Sequence, residues 1–250
     1  MRPVLEEARE KLAELVAAGN LGEEEVQVSV GTLTTYEAIG APQRRDYPLL
    51  EGREVLVEAR FRGCAGQAFT DRPHDYTGSL NAILGLDLNI SESRAVFIAA
   101  LNAVMAHLGR ASGTRHCRNE EPEVCAAEIA RYLKDGSEGA RVGLIGLQPA
   151  ILESLVATFG AANVGCTDLN TNNIGQSRYG AEIWDGRTRT GELIAWADRL
   201  LVTSSSLVNN TFDAIREEAA ARSKRLVVFG VTGAGVTALL GMERVCFQAH

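Results

Sequence analysis

The stretch RVGLIGLQPAILESLVATFGAANVGCTD, residues 141–168, decides the fold. Arg141 to Leu147 is a short apolar run that reads as a buried strand. Pro149 to Phe159 repeats apolar residues at helical spacing behind a proline suited to a first turn. Asn163 to Asp168 is a second apolar run. A strand, a helix and a strand in succession form a βαβ unit, whose strands run parallel because the crossover helix returns the chain to the same end of the sheet.

The alternation continues downstream. A Gly- and Asn-rich loop leads to a short helix near Thr190 to Trp196. Arg199 to Thr203 reads as a third strand, Thr211 to Ala221 as a helix, Arg225 to Gly230 as a fourth strand and Arg244 to Gln248 as a short last one. This order predicts a Rossmann-like, mostly parallel sheet with helices on its faces.

Upstream the pattern differs. Val4, Leu5, Ala8, Leu12, Leu15 and Val16 mark an amphipathic helix over residues 3–18, ended by Gly19-Asn20. Val26, Val28 and Val30 alternate as in a half-buried strand, and Leu33 to Ile39 is expected to continue that sheet. Arg53 to Arg62 is a strand, interrupted by a turn or bulge at Gly63-Cys64-Ala65-Gly66. Thr77 to Leu84 reads as a short helix. Ser91 to Leu108, with Ser91 as its N-cap, is apolar almost all round and so belongs between layers. The fold class expected is therefore α/β, with an α+β domain over residues 1–110. A Rossmann-like domain follows over 111–250, opened by a linker and leading helix over 111–140.

A net charge of −7 excludes the basic patches that phosphate backbones require, so nucleic acid is not an expected partner. The start of the chain has no signal-like apolar segment, and no run is long enough to span a bilayer. A cytoplasmic protein with no membrane partner is expected. Five cysteines at irregular spacing fit a reducing compartment better than a disulfide framework. The question of a homo-oligomer is left open.

In open α/β sheets ligands bind beyond the carboxyl ends of the strands. Four Gly- and small-polar-rich loops follow the strands there, nominating Asp168, Thr203, Ser204, Asn209, Thr211, Gly230 and Thr232. Asp168 occupies the place of a ribose-reading carboxylate. The preceding loop, Gly146-Leu147-Gln148-Pro149, lacks the G-x-G-x-x-G fingerprint, and Pro149 has no N–H for a pyrophosphate, so NAD is disfavoured. Ligand contact and local loop capping fit Asp168 equally. Imidazole and thiolate together at His116-Cys117 suit a transition metal, with Glu120, Glu121 and Glu123 close in sequence. Cys125 shares a helix face with Ile129 and Leu133, which favours burial in the core. No catalytic triad or metalloprotease motif is present.

Several segments resemble a prokaryotic family of unknown function known under the label of heavy-metal chelation. Val142-Gly143-Leu144-Ile145-Gly146-Leu147-Gln148-Pro149 is similar to its first strand and turn. The most specific likeness is Thr203-Ser204-Ser205-Ser206-Leu207-Val208-Asn209-Asn210-Thr211, and Phe229-Gly230-Val231-Thr232-Gly233 is similar to its late loop. Gly66-Gln67-Ala68-Phe69-Thr70 and Ala99-Ala100-Leu101-Asn102-Ala103 match in the first half. Ser204 stands where the family usually has glycine, and Val231 where it has proline. The resemblance implies an enolase-N-terminal-like domain joined to a Rossmann-like one. It also implies an inter-domain cleft that handles a metal or metallocofactor, with Thr70 and Asn102 facing the Rossmann side. The alternative is an enzyme acting on a small organic or nucleotide-like ligand at the strand ends.

Overall fold

The structure, a computed structural model, describes residues 2–29, 33–51, 54–135 and 139–250. The positions expected as strand at Val30 and Arg53 lie outside the described residues. The chain opens with helix α1 (Val4–Ala18), strand β1 (Glu25–Ser29) and helix α2 (Thr35–Ile39). Strands β2 (Val55–Phe61), β3 (Cys64–Thr70) and β4 (Tyr76–Ser79) follow, then helices α3 (Leu80–Leu84) and α4 (Ser91–His107). The four strands form an antiparallel sheet in the order β3-β2-β1-β4.

Three local expectations are corrected here. The segment before Ile39 is helical because Thr34 and Glu37 make a reciprocal capping box, the Thr34 side chain accepting from Glu37 N and Glu37 accepting from Thr34 N. Thr77 begins on a strand, and only Leu80–Leu84 is helix, capped by Ser79. Cys64 to Gly66 lie within β3, and the turn is confined to Arg62 and Gly63, both at positive φ.

The second half comprises α5 (Glu121–Lys134), β5 (Val142–Ile145), α6 (Pro149–Phe159), β6 (Val164–Asp168), β7 (Ser177–Arg178) and β8 (Ala181–Asp185). It continues with α7 (Gly186–Trp196), β9 (Arg199–Thr203), α8 (Ser205–Val208), α9 (Phe212–Ala221), β10 (Arg225–Phe229), α10 (Ala234–Leu240) and β11 (Arg244–Val245). These strands make a seven-stranded sheet, β11-β10-β9-β5-β6-β8-β7, parallel except at the β7 edge. Counted from β5 without the β7 edge, this is the Rossmann order, reversing direction between β5 and β9.

Alternation along the strands divides the core. Leu144, Leu201 and Val227 face one apolar cluster with α5 and α6, whereas Ile145, Val202 and Val228 face the other. That second cluster runs without a break into the first half, through α4 and α1. α4 is buried nearly all round because it has β2 and β3 on one side and α8 and α10 on the other. Gly66 permits its approach: a Cβ there would sit 2.1 Å from Ala103 N and 2.5 Å from Ala99 O, both helix backbone.

Candidate functional site

A cleft of about 1050 Å³ opens where the carboxyl ends of β5, β6, β9 and β10 meet the end of β3. Its floor is the switch point of the sheet. Gly146, at φ +89, lies so close to β9 that a Cβ would come within 2.3 Å of Thr203 Cγ2. Only glycine satisfies both the backbone angle and the contact there. Gly230, at φ +100, stands likewise against Ser204 Oγ.

Of the residues read from the sequence, Asp168, Thr203, Ser204, Asn209, Thr211 and Gly230 line this cleft. So do Thr70, His116 and Cys117 from the opposite wall. Asn102 and Thr232 lie behind the wall instead. Asn102 is wholly buried, with its Nδ2 facing the carbonyls of Gln67, Val231 and Thr232 and its Oδ1 accepting from Gly235 N at 2.6 Å. Thr232 Oγ1 accepts from Phe69 N at 3.0 Å. Both side chains spend their polar atoms tying β3 and α4 to the loop after β10, which takes them out of the ligand-contacting set.

Local hydrogen bonds define what the strand-end loops can offer. Asp168 Oδ1 accepts from Asn170 N at 2.8 Å and Oδ2 from Asn173 Nδ2 at 3.1 Å, so loop capping and exposure to the cleft coexist at one carboxylate. Gln148 Oε1 caps α6 by accepting from Ile151 N at 2.6 Å. With Pro149 in the first turn, few α6 donors remain for a phosphate. Thr211 Oγ1 donates to Asn209 Oδ1 at 2.8 Å, and Thr70 Oγ1 accepts from Arg72 N at 3.0 Å. The buried Thr167 hydroxyl, also on the cleft wall, has no hydrogen-bond partner.

The charges on the lining are mostly negative. Among the described residues, Glu54, Asp71, Asp168 and Glu218 share the lining with one full cation, Arg187. Glu54 shows the consequence: burial, then the charges of Asp168 and Asp71, lift its pKa to about 7. Such a lining disfavours an anion and favours a cation.

On the other wall, burial lowers the His116 pKa to about 4, so its imidazole is neutral at physiological pH. Its ring packs edge-on against Phe69, its backbone N–H donates to Gln67 Oε1 at 2.6 Å, and its Nδ1 is buried without a hydrogen-bond partner. Cys117 is buried beside it, its thiol pushed up to about 12 by desolvation first and then by Cys125 and Glu121. Cys125, expected in the core, is indeed packed into it, yet it also lines the cleft, as does Cys246 from the end of β11. Among the described residues, no three His, Cys, Asp or Glu side chains already stand close enough to hold a metal. The orphaned imidazole nitrogen and the neighbouring thiols nonetheless match the donor chemistry of a soft or borderline ion.

Strand order and strand-end loops define a Rossmann-like α/β protein with a cleft at the switch point of its parallel sheet. Residues 131–241 match the profile of DUF364, described as "Putative heavy-metal chelation", the family that the sequence segments resemble. A crystal structure of a DUF364-family protein of unknown function from Pyrococcus horikoshii superposes with a TM-score of 0.57 at 20% identity, over 92% of this chain and 80% of that one. At this identity the likeness is one of fold. A DUF364-family protein from Desulfitobacterium hafniense DCB-2 aligns at 13% identity with a TM-score of 0.47, over 74% of this chain and 72% of that one. No curated protein matches the chain. Among the described residues, no helix is long and apolar enough to cross a membrane.

Proposed function

We propose that the protein handles a metal ion, free or held in a small chelate, in the cleft between the two sheets. The carrying observation is the charge of the lining: among its described charged residues carboxylates outnumber cations, one of them is costly to ionise, and a neutral histidine with a free nitrogen stands opposite. Bringing a cation in relieves both, since it offsets the repulsion at Glu54 and supplies a partner for His116. Asp168, Thr203, Ser204, Asn209, Thr211 and Gly230 form the Rossmann side of this site, Thr70 the facing side, and His116 and Cys117 are its donors. The family description supports the same reading.

Calorimetric titration of chelator-stripped protein with nickel, zinc, cobalt and ferrous iron tests it. Binding that weakens in the Asp168→Asn variant and in the His116→Ala/Cys117→Ser double variant is expected. Absence of binding by every ion overturns the proposal. A second reading, an enzyme acting on a small organic or nucleotide-like ligand, draws on Asp168 at the end of β6 beside the switch point. A ligand at 100 times its dissociation constant stabilises a protein by about 2.7 kcal/mol. A thermal-shift screen of nucleotides that stays flat while metals bind dismisses that reading.

A further inference from the structure

Among the described residues, Arg94 is the one buried arginine, at 6% exposure, and it stands at the start of α4 without a counter-ion. Its Nε donates to the Val208 carbonyl at 2.6 Å and its Nη1 to the Leu88 carbonyl at 2.9 Å. A guanidinium has five N–H donors, so three remain, both of those on Nη2 among them, and no described protein group accepts from them. Glu92, whose charge reaches Arg94, is engaged with Arg72 at 3.6 Å. A buried charge in this condition is costly unless something pairs with it.

Arg94 lines a second cavity, of about 220 Å³. Nη2 lacks a partner yet is not among the polar atoms sealed in the interior, so it keeps access to the open space that Arg94 borders. The starts of three helices meet around that space: Pro3 and Val4 at α1, Asn89 at α4, Phe212 and Asp213 at α9. None of the three helices has a capping side chain of its own, so their positive ends bear on the same cavity. The two carboxylates on the lining are engaged elsewhere, Asp213 with Val4 N at 2.9 Å and Glu6 with Arg9.

We propose that this cavity binds a small oxyanion, with inorganic phosphate as its representative, on the Arg94 guanidinium. Its volume is below the roughly 300–1,000 Å³ of pockets for larger organic ligands, which suits an ion. The planar fork of arginine matches two oxygens of such an ion, and the charge that arrives is the one Arg94 lacks. The site is independent of what the cleft holds, but the two are neighbours. Ser206 and Asn210 line both, and Arg94 holds the Val208 carbonyl, so an anion here braces the loop after β9 that forms part of the cleft wall.

Calorimetric titration of the full chain with inorganic phosphate tests the site. One phosphate per chain is expected, displaced by sulfate. Arg94→Gln is expected to bind about ten- to a hundredfold more weakly, the range for a charge-assisted hydrogen bond. Arg94→Lys, which keeps the charge and loses the fork, should fall between the two. Arg110→Gln, at an exposed arginine, is expected to match wild type. Hydrogen exchange on the wild-type chain is independent of whether the variants fold, and phosphate should slow it at the starts of α1 and α9. No binding at millimolar phosphate, protection only elsewhere in the chain, or a folded Arg94→Gln that binds as wild type does overturns the proposal.

Discussion

Replacing Glu54 by glutamine removes a carboxylate that the cleft makes costly to ionise. Desolvation, Asp168 and Asp71 raise its pKa from 4.5 to about 7. One pKa unit corresponds to about 1.4 kcal/mol, so the full shift is worth about 3 kcal/mol, and solvent reaching the partly exposed side chain reduces this. The folded chain holds the Glu54 proton to higher pH than the unfolded chain does. Between pH 4.5 and about 7 the native state therefore binds more protons, and stability falls as pH rises through that window. Above it the loss is complete. Glu54→Gln escapes the loss and should be more stable than wild type by about 1–3 kcal/mol at pH 8, with the difference vanishing near pH 4.5. For a chain of this size each kcal/mol moves Tm by about 2–4 °C. Thermal unfolding followed by circular dichroism, in chelator at both pH values, reads the difference directly. A variant that melts at or below wild type at pH 8 refutes the electrostatic account of the cleft.

His116 titrates with the opposite sign. Its folded pKa of about 4 lies below the ordinary 6.5, so stability is lost as pH falls between those values, and His116→Gln should flatten that limb of the pH profile in urea unfolding. Asn102→Ala strips four backbone groups of their buried partner. At about 1–3 kcal/mol for an orphaned buried group, denaturant midpoints should report a loss of at least about 3 kcal/mol. Gly66→Ala forces a methyl into the backbone of α4. It should cost about 3 kcal/mol or more and loosen α4 amide protection in hydrogen exchange.

The sequence made the parallel sheet legible because βαβ units repeat a local signal, and every strand from β5 to β6 and from β9 to β11 falls where the apolar runs lie. The β7–β8 edge escaped because a polar, Gly-rich approach masked the alternation of Ala181 and Ile183, buried, with Glu182, exposed. α10 escaped because Gly233 and Gly235 read as loop, although close packing on Leu101 and Asn102 is what requires Gly235. The candidate site divides in the same way. Loops at strand ends are predictable from strand order, so most of the Rossmann-side residues reach the cleft. Glu54 and Cys246 carry no local signal, and their relevance arises only when the fold sets both into the cleft wall, Glu54 near the charges of Asp168 and Asp71. Asn102 shows the limit of the converse inference. A polar residue in an apolar helix announces a partner, but sequence alone does not tell a ligand from a neighbouring carbonyl.

The burial of α4 between the two sheets also governs how the cleft can work. Because a single apolar cluster passes through this helix from one half to the other, the walls cannot swing apart without exposing the interior of both. A hinge of the kind that closes around substrates in two-lobed binding proteins is therefore closed to this architecture. The walls of the cleft therefore keep a fixed spacing. Unfolding, for the same reason, should proceed as one cooperative event spanning both sheets rather than half by half.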